Sequence, residues 1–109
     1  MMQDSRNIKA YYTTFPDASS AEQCARVLVD LGLVACANIL CSGTSIYKWE
    51  GKVESSGEVY ILFKTLKSKE NQLEKKLVEL HPYDCPCFLE LDVGHVFSGY
   101  AKWLTEQVE

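Results

Sequence analysis

At 109 residues the chain is sized for one domain, long enough to bury roughly two-thirds of its unfolded surface around a single core. A composition 47% apolar and 24% charged excludes disorder. A net charge of -4, with lysines dispersed apart from Lys64, Lys67, Lys69 and the pair Lys75, Lys76, excludes the concentrated basic face that nucleic-acid binding rests on. No run approaches the roughly 18 apolar residues of a membrane helix, and the polar start MMQDSRN lacks a secretory apolar region. The sequence therefore predicts a soluble cytoplasmic protein whose cysteines, Cys24, Cys36, Cys41, Cys85 and Cys87, are thiols rather than a disulfide framework.

In chain order, residues 1–7 read as a flexible N-terminal tail and Ile8 to Phe15 as a first strand, rich in aromatic and β-branched residues and closed by Pro16-Asp17. Ser19 and Glu22 make a Ser-x-x-Glu capping box for a helix in which Ala21, Cys24, Ala25, Leu28 and Leu31 recur at helical spacing, up to the stop at Gly32. On that stripe Cys24 is a small core residue. Val34 to Leu40 and Ser45 to Trp49 form one long strand, with a bulge expected at Cys41-Ser42-Gly43. A reversal between Glu50 and Gly57 leads into Val59 to Phe63, so the two strands form an antiparallel hairpin.

Ser68 is the expected cap of a second helix, with Leu73, Leu77 and Leu80 on its apolar face. That helix ends at His81-Pro82, because the residue before proline is pushed out of the helical region. Phe88 to Val93 reads as a fourth strand, and Ser98 or Gly99 opens a short last helix carrying Tyr100, Trp103, Leu104 and Val108. The order βαββαβ plus a final helix defines an α+β chain. Right-handed crossovers put the first two helices on one sheet face. The other face stays bare although Val59 to Phe63 is apolar at odd and even positions alike, so self-association is expected.

Four blocks then carry a likeness: Ala35-Cys36-Ala37-Asn38-Ile39, Ser45 to Val53 (SIYKWEGKV), His81-Pro82-Tyr83, and Tyr100 to Leu104 (YAKWL). Together they resemble the CutA family of divalent-cation tolerance proteins, over nearly the whole chain from Ile8 on. The resemblance implies a single ferredoxin-like βαββαβ sandwich with an extra C-terminal helix and an extended β-hairpin, assembled as a homotrimer. It implies a role in metal tolerance with copper, or another divalent cation, bound but not obligatory, and no established catalysis. The sequence departs from the family's His-Pro-Tyr-Glu-x-Pro-Glu pattern: Asp84 takes the first acidic position and Cys87 replaces the second. Thr13 stands where some bacterial members carry a cysteine.

The candidate metal ligands are His81 and Cys36, which match family positions, and the pair Cys85 and Cys87. Imidazole and thiolate suit copper or zinc, and two sulfurs two residues apart suit a soft ion if the chain there is extended. Each has a plainer reading: His81 as a cationic helix terminus, Cys36 as strand packing, and the pair as small hydrophobes. A redox role for Cys85-Pro86-Cys87 is disfavoured, because the pair follows a helix C-terminus, where a thiol loses the positive end that would activate it. Tyr47, Trp49, Tyr83 and Trp103 are aromatic anchors of the kind enriched at subunit contacts. Phosphate-loop, dinucleotide, nucleophile-elbow and zincin signatures are absent from the sequence. Two functions follow: a trimeric metal-response protein, or a trimeric module that senses a small ligand and for which metal is incidental.

Overall fold

The computed structural model describes residues 1–4 and 7–108. The elements are β1 (Met2–Asp4), β2 (Ile8–Phe15), α1 (Ala18–Asp30), β3 (Cys36–Trp49), β4 (Lys52–Leu66), α2 (Glu70–Leu80), β5 (Phe88–Leu91), β6 (His95–Phe97) and α3 (Ser98–Gln107). Four strands form one antiparallel sheet in the order β3-β4-β2-β5. The remaining two, β1 and β6, pair with each other and have no counterpart in the sequence reading. Residues 5 and 6, part of the expected tail, lie outside the described residues, as does Glu109.

Alternation along the strands builds the core. Tyr11, Thr13 and Phe15 of β2 and Val59, Ile61, Phe63 and Thr65 of β4 are buried on one face. Against that face pack Ala21, Cys24, Ala25 and Leu28 of α1 and Leu73 and Leu77 of α2. Both helices therefore cover the same side. Burial of Cys24 pushes its thiol up to about 11, which makes it an inert packing residue. Leu80, expected on the apolar stripe of α2, is exposed.

The opposite face is not wholly bare. Its edge at Ile8 and Leu66 is covered by α3, whose Ala101 and Leu104 join Ile8, Ala35, Val96 and Val108 in a second small core. Beyond α3 the register lines up Leu40–Tyr60–Thr14 and Asn38–Leu62–Tyr12–Leu89, with Leu40 and Leu89 each more than half exposed. Tyr12 and Tyr60 stack there at 6.0 Å between ring centroids.

The hairpin outgrows the sheet. The last β2 pairing is Phe15↔Val59, yet β3 and β4 continue from Gly43↔Glu58 to Trp49↔Lys52. At the rise of an antiparallel strand that arm projects roughly 23 Å, and the molecule is 47 Å long against 25 and 23 Å across. The bulge falls where expected, with the register slipping between Leu40 and Gly43 and Ser42 in the left-handed region at φ 66°. Glycine beside it leaves room for the Tyr60 ring, which a Cβ at Gly43 would overlap and push aside. At the tip Glu50 (φ 51°) and Gly51 (φ 80°) make a two-residue turn of the type whose twist suits a hairpin. The arm's two faces are both apolar: Ile46 and Val53 lie on one, Tyr47 and Trp49 on the other. Ile46, Val53 and Trp49 are 73%, 70% and 63% exposed.

Local signals are partly overridden. The capping residue of α1 is Asp17, whose carboxylate accepts from Ser20 N–H at 2.8 Å, rather than Ser19. Ser68 lies inside a single 3-10 turn (Lys67–Lys69), and α2 opens without a side-chain cap. The fourth strand stops at Leu91, two residues short of Val93. Two buried threonines differ in a testable way. Thr65 Oγ1 donates to the Leu33 carbonyl at 2.8 Å, whereas Thr13 Oγ1 is buried with no hydrogen-bond partner among the described residues. Thr13→Val removes that orphan at constant shape and is expected to raise stability by about 1 kcal/mol, read as a higher urea midpoint. A lower midpoint would mean that the hydroxyl is satisfied.

Candidate functional site

The segment His81 to Phe88 joins α2 to β5, and its first residue is the most constrained. The His81 N–H caps α2 by donating to the Leu77 carbonyl at 2.8 Å, and its ψ of 137° leaves the helix ahead of Pro82. Its ring is 7% exposed and lies 4.2 Å from the Phe15 ring and 4.9 Å from the Tyr83 ring. Nδ1 accepts the Tyr83 N–H at 3.0 Å, so Nε2 carries the proton and donates to the Thr14 carbonyl at 2.7 Å. Burial lowers the His81 pKa, against the pull of the Thr14 carbonyl and the Glu58 charge. The cationic helix terminus expected from sequence is thus a buried neutral ring. Both nitrogens are committed to backbone, and a metal ion could take one only by breaking a hydrogen bond.

Next along the loop, the Tyr83 hydroxyl donates to Glu58 at 3.0 Å, which ties the loop to the root of the arm. Burial, then the Glu58 hydrogen bond and charge, push the Tyr83 phenol up to about 12. Cys85 is exposed in a bend of the loop, outside any strand. Cys87 is half-buried, and burial together with the Glu58 charge raises its thiol pKa, which makes the thiolate form less accessible.

Cys36 is elsewhere. It pairs with Lys64 and, through Lys64, sits at the level of Ala10, whereas His81 bonds to Thr14. Four residues of strand, roughly 13 Å, separate those levels. Its sulfur lies 3.5 Å from the Tyr100 hydroxyl. The Lys64 ammonium stands 5.4 Å from the centre of the Tyr100 ring, which also stacks on Trp103 at 5.5 Å. Burial opposes the Lys64 charge, but the Tyr100 phenol and Cys36 outweigh it and raise the lysine's pKa. Burial, then the Cys36 contact, raise Tyr100, so ammonium and phenol both keep their protons at neutral pH. In the sequence Lys64 reads only as one of the group Lys64, Lys67 and Lys69. The available signal is its place in the apolar run Val59 to Leu66.

Among the described residues no group of three or more histidine, cysteine, aspartate or glutamate side chains is arranged to hold one metal ion. Within one chain, then, His81, Cys36, Cys85 and Cys87 do not fit a closed metal site. The aromatic residues divide: Tyr47, Trp49 and Trp103 present exposed surface, while Tyr83 is half-buried in its own chain. Among the described residues no helix is long and apolar enough to cross a membrane.

A four-stranded antiparallel sheet with two helices on one face, a third helix on the edge of the other, and a long hairpin arm defines a small α+β protein whose candidate ligands are dispersed. Residues 9–107 match the family model described as CutA1 divalent ion tolerance protein. The chain belongs to the CutA1 divalent ion tolerance family. It is 43% identical over 98 residues to the divalent-cation tolerance protein CutA of Pyrococcus horikoshii, covering 90% of this chain and 95% of that one. The structure of CutA from Synechococcus elongatus superimposes with a TM-score of 0.96 at 28% identity, covering 100% of this chain and 96% of that one. A structure from Archaeoglobus fulgidus, described as a periplasmic divalent cation tolerance protein CutA, gives 0.90 at 29%, covering 94% and 99%.

Proposed function

We propose that the protein acts in divalent-cation tolerance as a ferredoxin-like homotrimer, without catalysis, in the cytoplasm, with itself and a metal ion as partners and neither nucleic acid nor membrane. The observation that carries the assembly is the arm. A two-stranded ribbon is marginal in water, and one with apolar residues on both faces gains stability by lying against another surface. The uncovered rows around Tyr12, Leu62 and Leu89 offer such a surface, and the strand order β3-β4-β2-β5 with both main helices on one side is consistent with the ferredoxin-like arrangement.

Copper, or another divalent cation, is bound in this reading as a reversible ligand by groups that complete a site only between chains, with Cys85 and Cys87 as sulfur donors. Their chemistry favours a soft ion. The names of the relatives support the tolerance role. Sedimentation is expected to give three times 12.3 kDa, about 37 kDa. A stable 12.3 kDa species overturns the assembly. Isothermal titration of the reduced protein with Cu(I) and Cu(II) is expected to show binding that Cys85→Ser with Cys87→Ser weakens about tenfold or more, the scale of losing a thiolate ligand. Unchanged binding removes both thiols from the site.

A further inference from the structure

On the sheet face beside α3, three polar groups converge with no carboxylate among them. Cys36 and Lys64 are register partners on β3 and β4, which puts their Cβ atoms roughly 5 Å apart on one face. Tyr100 reaches over both, its hydroxyl 3.5 Å from the Cys36 sulfur and its ring centre 5.4 Å from Lys64 Nζ. All three are half-buried in the chain. Among the described residues Lys9, Lys67 and Lys76 each have a carboxylate partner, whereas none is ion-paired with Lys64.

An ammonium partly withdrawn from water that, among the described residues, faces neutral Tyr100 and Cys36 and no ion-pair partner leaves positive charge uncompensated. The hydrogen-bond bookkeeping points the same way. If the Cys36 thiol donates to the Tyr100 oxygen, the phenol proton is free to turn, together with a Lys64 N–H, toward a common acceptor. Trp103, 42% exposed and stacked on Tyr100, gives that acceptor's body an apolar wall. We propose that Lys64, Tyr100 and Cys36 form a binding site for a small carboxylate or phosphate. Lys64 neutralises the oxyanion, Tyr100 donates a hydrogen bond to it, and Cys36 positions the phenol. The site is separate from His81 and from Cys85 and Cys87, so it stands or falls independently of metal binding.

The test is a nuclear magnetic resonance titration of the full chain with acetate, citrate and inorganic phosphate at constant ionic strength. The Cys36, Lys64 and Tyr100 amides are expected to shift saturably with at least one of the three anions. Lys64→Met should weaken that binding about tenfold or more and Tyr100→Phe several-fold, while Lys64→Arg retains most of it. Tyr100→Phe preserves the ring packing and so carries the test even if Lys64→Met fails to fold. No saturable shift with any anion, or equal affinity in Lys64→Met and Tyr100→Phe, overturns the proposal. An unresponsive wild type whose Lys64→Met variant drops in sedimented mass also overturns it, since Lys64 would then pair with a carboxylate of a second copy.

Discussion

His81→Ala is expected to destabilise the protein by about 3 kcal/mol or more, toward the upper end of what truncating one side chain costs. Truncation leaves the Thr14 carbonyl and the Tyr83 N–H without partners and opens a cavity beside the Phe15 ring. Loss of the Tyr83 anchor should also loosen the Glu58 contact that holds the loop to the root of the arm. Urea unfolding with tryptophan and circular-dichroism signals measures the change, and a loss below about 1 kcal/mol would show that the ring bonds contribute little.

The same residue shapes the acid limb of stability. Burial holds the folded His81 pKa below its unfolded value of about 6.5. Between those two values the unfolded chain binds the extra proton, so stability is full above about 6.5 and falls as pH drops through that window. Glu70, whose carboxyl is held down to about 2 by Lys67, Glu90 and Tyr11 hydrogen bonds, titrates in a lower range: its stabilisation is present above the ordinary carboxylate range and is lost as pH falls toward 2. Removing His81 should therefore flatten the pH dependence just below 6.5 and leave the lower limb in place.

Ile46→Glu with Val53→Thr is expected to convert the proposed assembly of about 37 kDa into 12.3 kDa chains that remain folded. The two residues share one face of the arm, so the pair removes the apolar surface of that face alone. Threonine keeps the strand preference of valine, and a glutamate at 46 faces Lys48 along the same strand face, so the arm itself is preserved. Burying a side chain the size of isoleucine or valine contributes about 1.5–3 kcal/mol, and a closed ring loses it at every interface. Sedimentation with far-ultraviolet circular dichroism separates dissociation from unfolding. An unchanged mass would mean that the arm does not seal the assembly.

Much of the fold is readable along the chain, because the signals are local and periodic. Strand β2 shows β-branched and aromatic density, the α1 stripe recurs at helical spacing, and the glycine at 43 marks the bulge. Where composition is ambiguous, long-range contact decides. Lys52 to Gly57 (KVESSG) has no strand pattern and reads from sequence as part of the reversal, yet it pairs residue for residue with Thr44 to Trp49. His95 to Phe97 is too short to signal by itself and is a strand only because Met2 to Asp4 lies against it. Asp17 outcompetes Ser19 as cap because the chain turns earlier than the capping box implies.

The candidate site divides along the same line. By itself the sequence determined the family, the α+β order, the existence of the β3-β4 hairpin and the ligand-rich loop, since each is written in contiguous residues. Only the tertiary structure decided what the ligands face. Side-chain direction and strand register, which no local pattern encodes, give His81 two backbone partners, send Cys36 to the far end of β2 from it, and bring Lys64 beneath Tyr100. Residue type suggested two candidate ligand pairs, His81 with Cys36 and Cys85 with Cys87, and the fold separates the first pair, leaving a structural histidine in one place and a thiol beside Tyr100 and Lys64 in another.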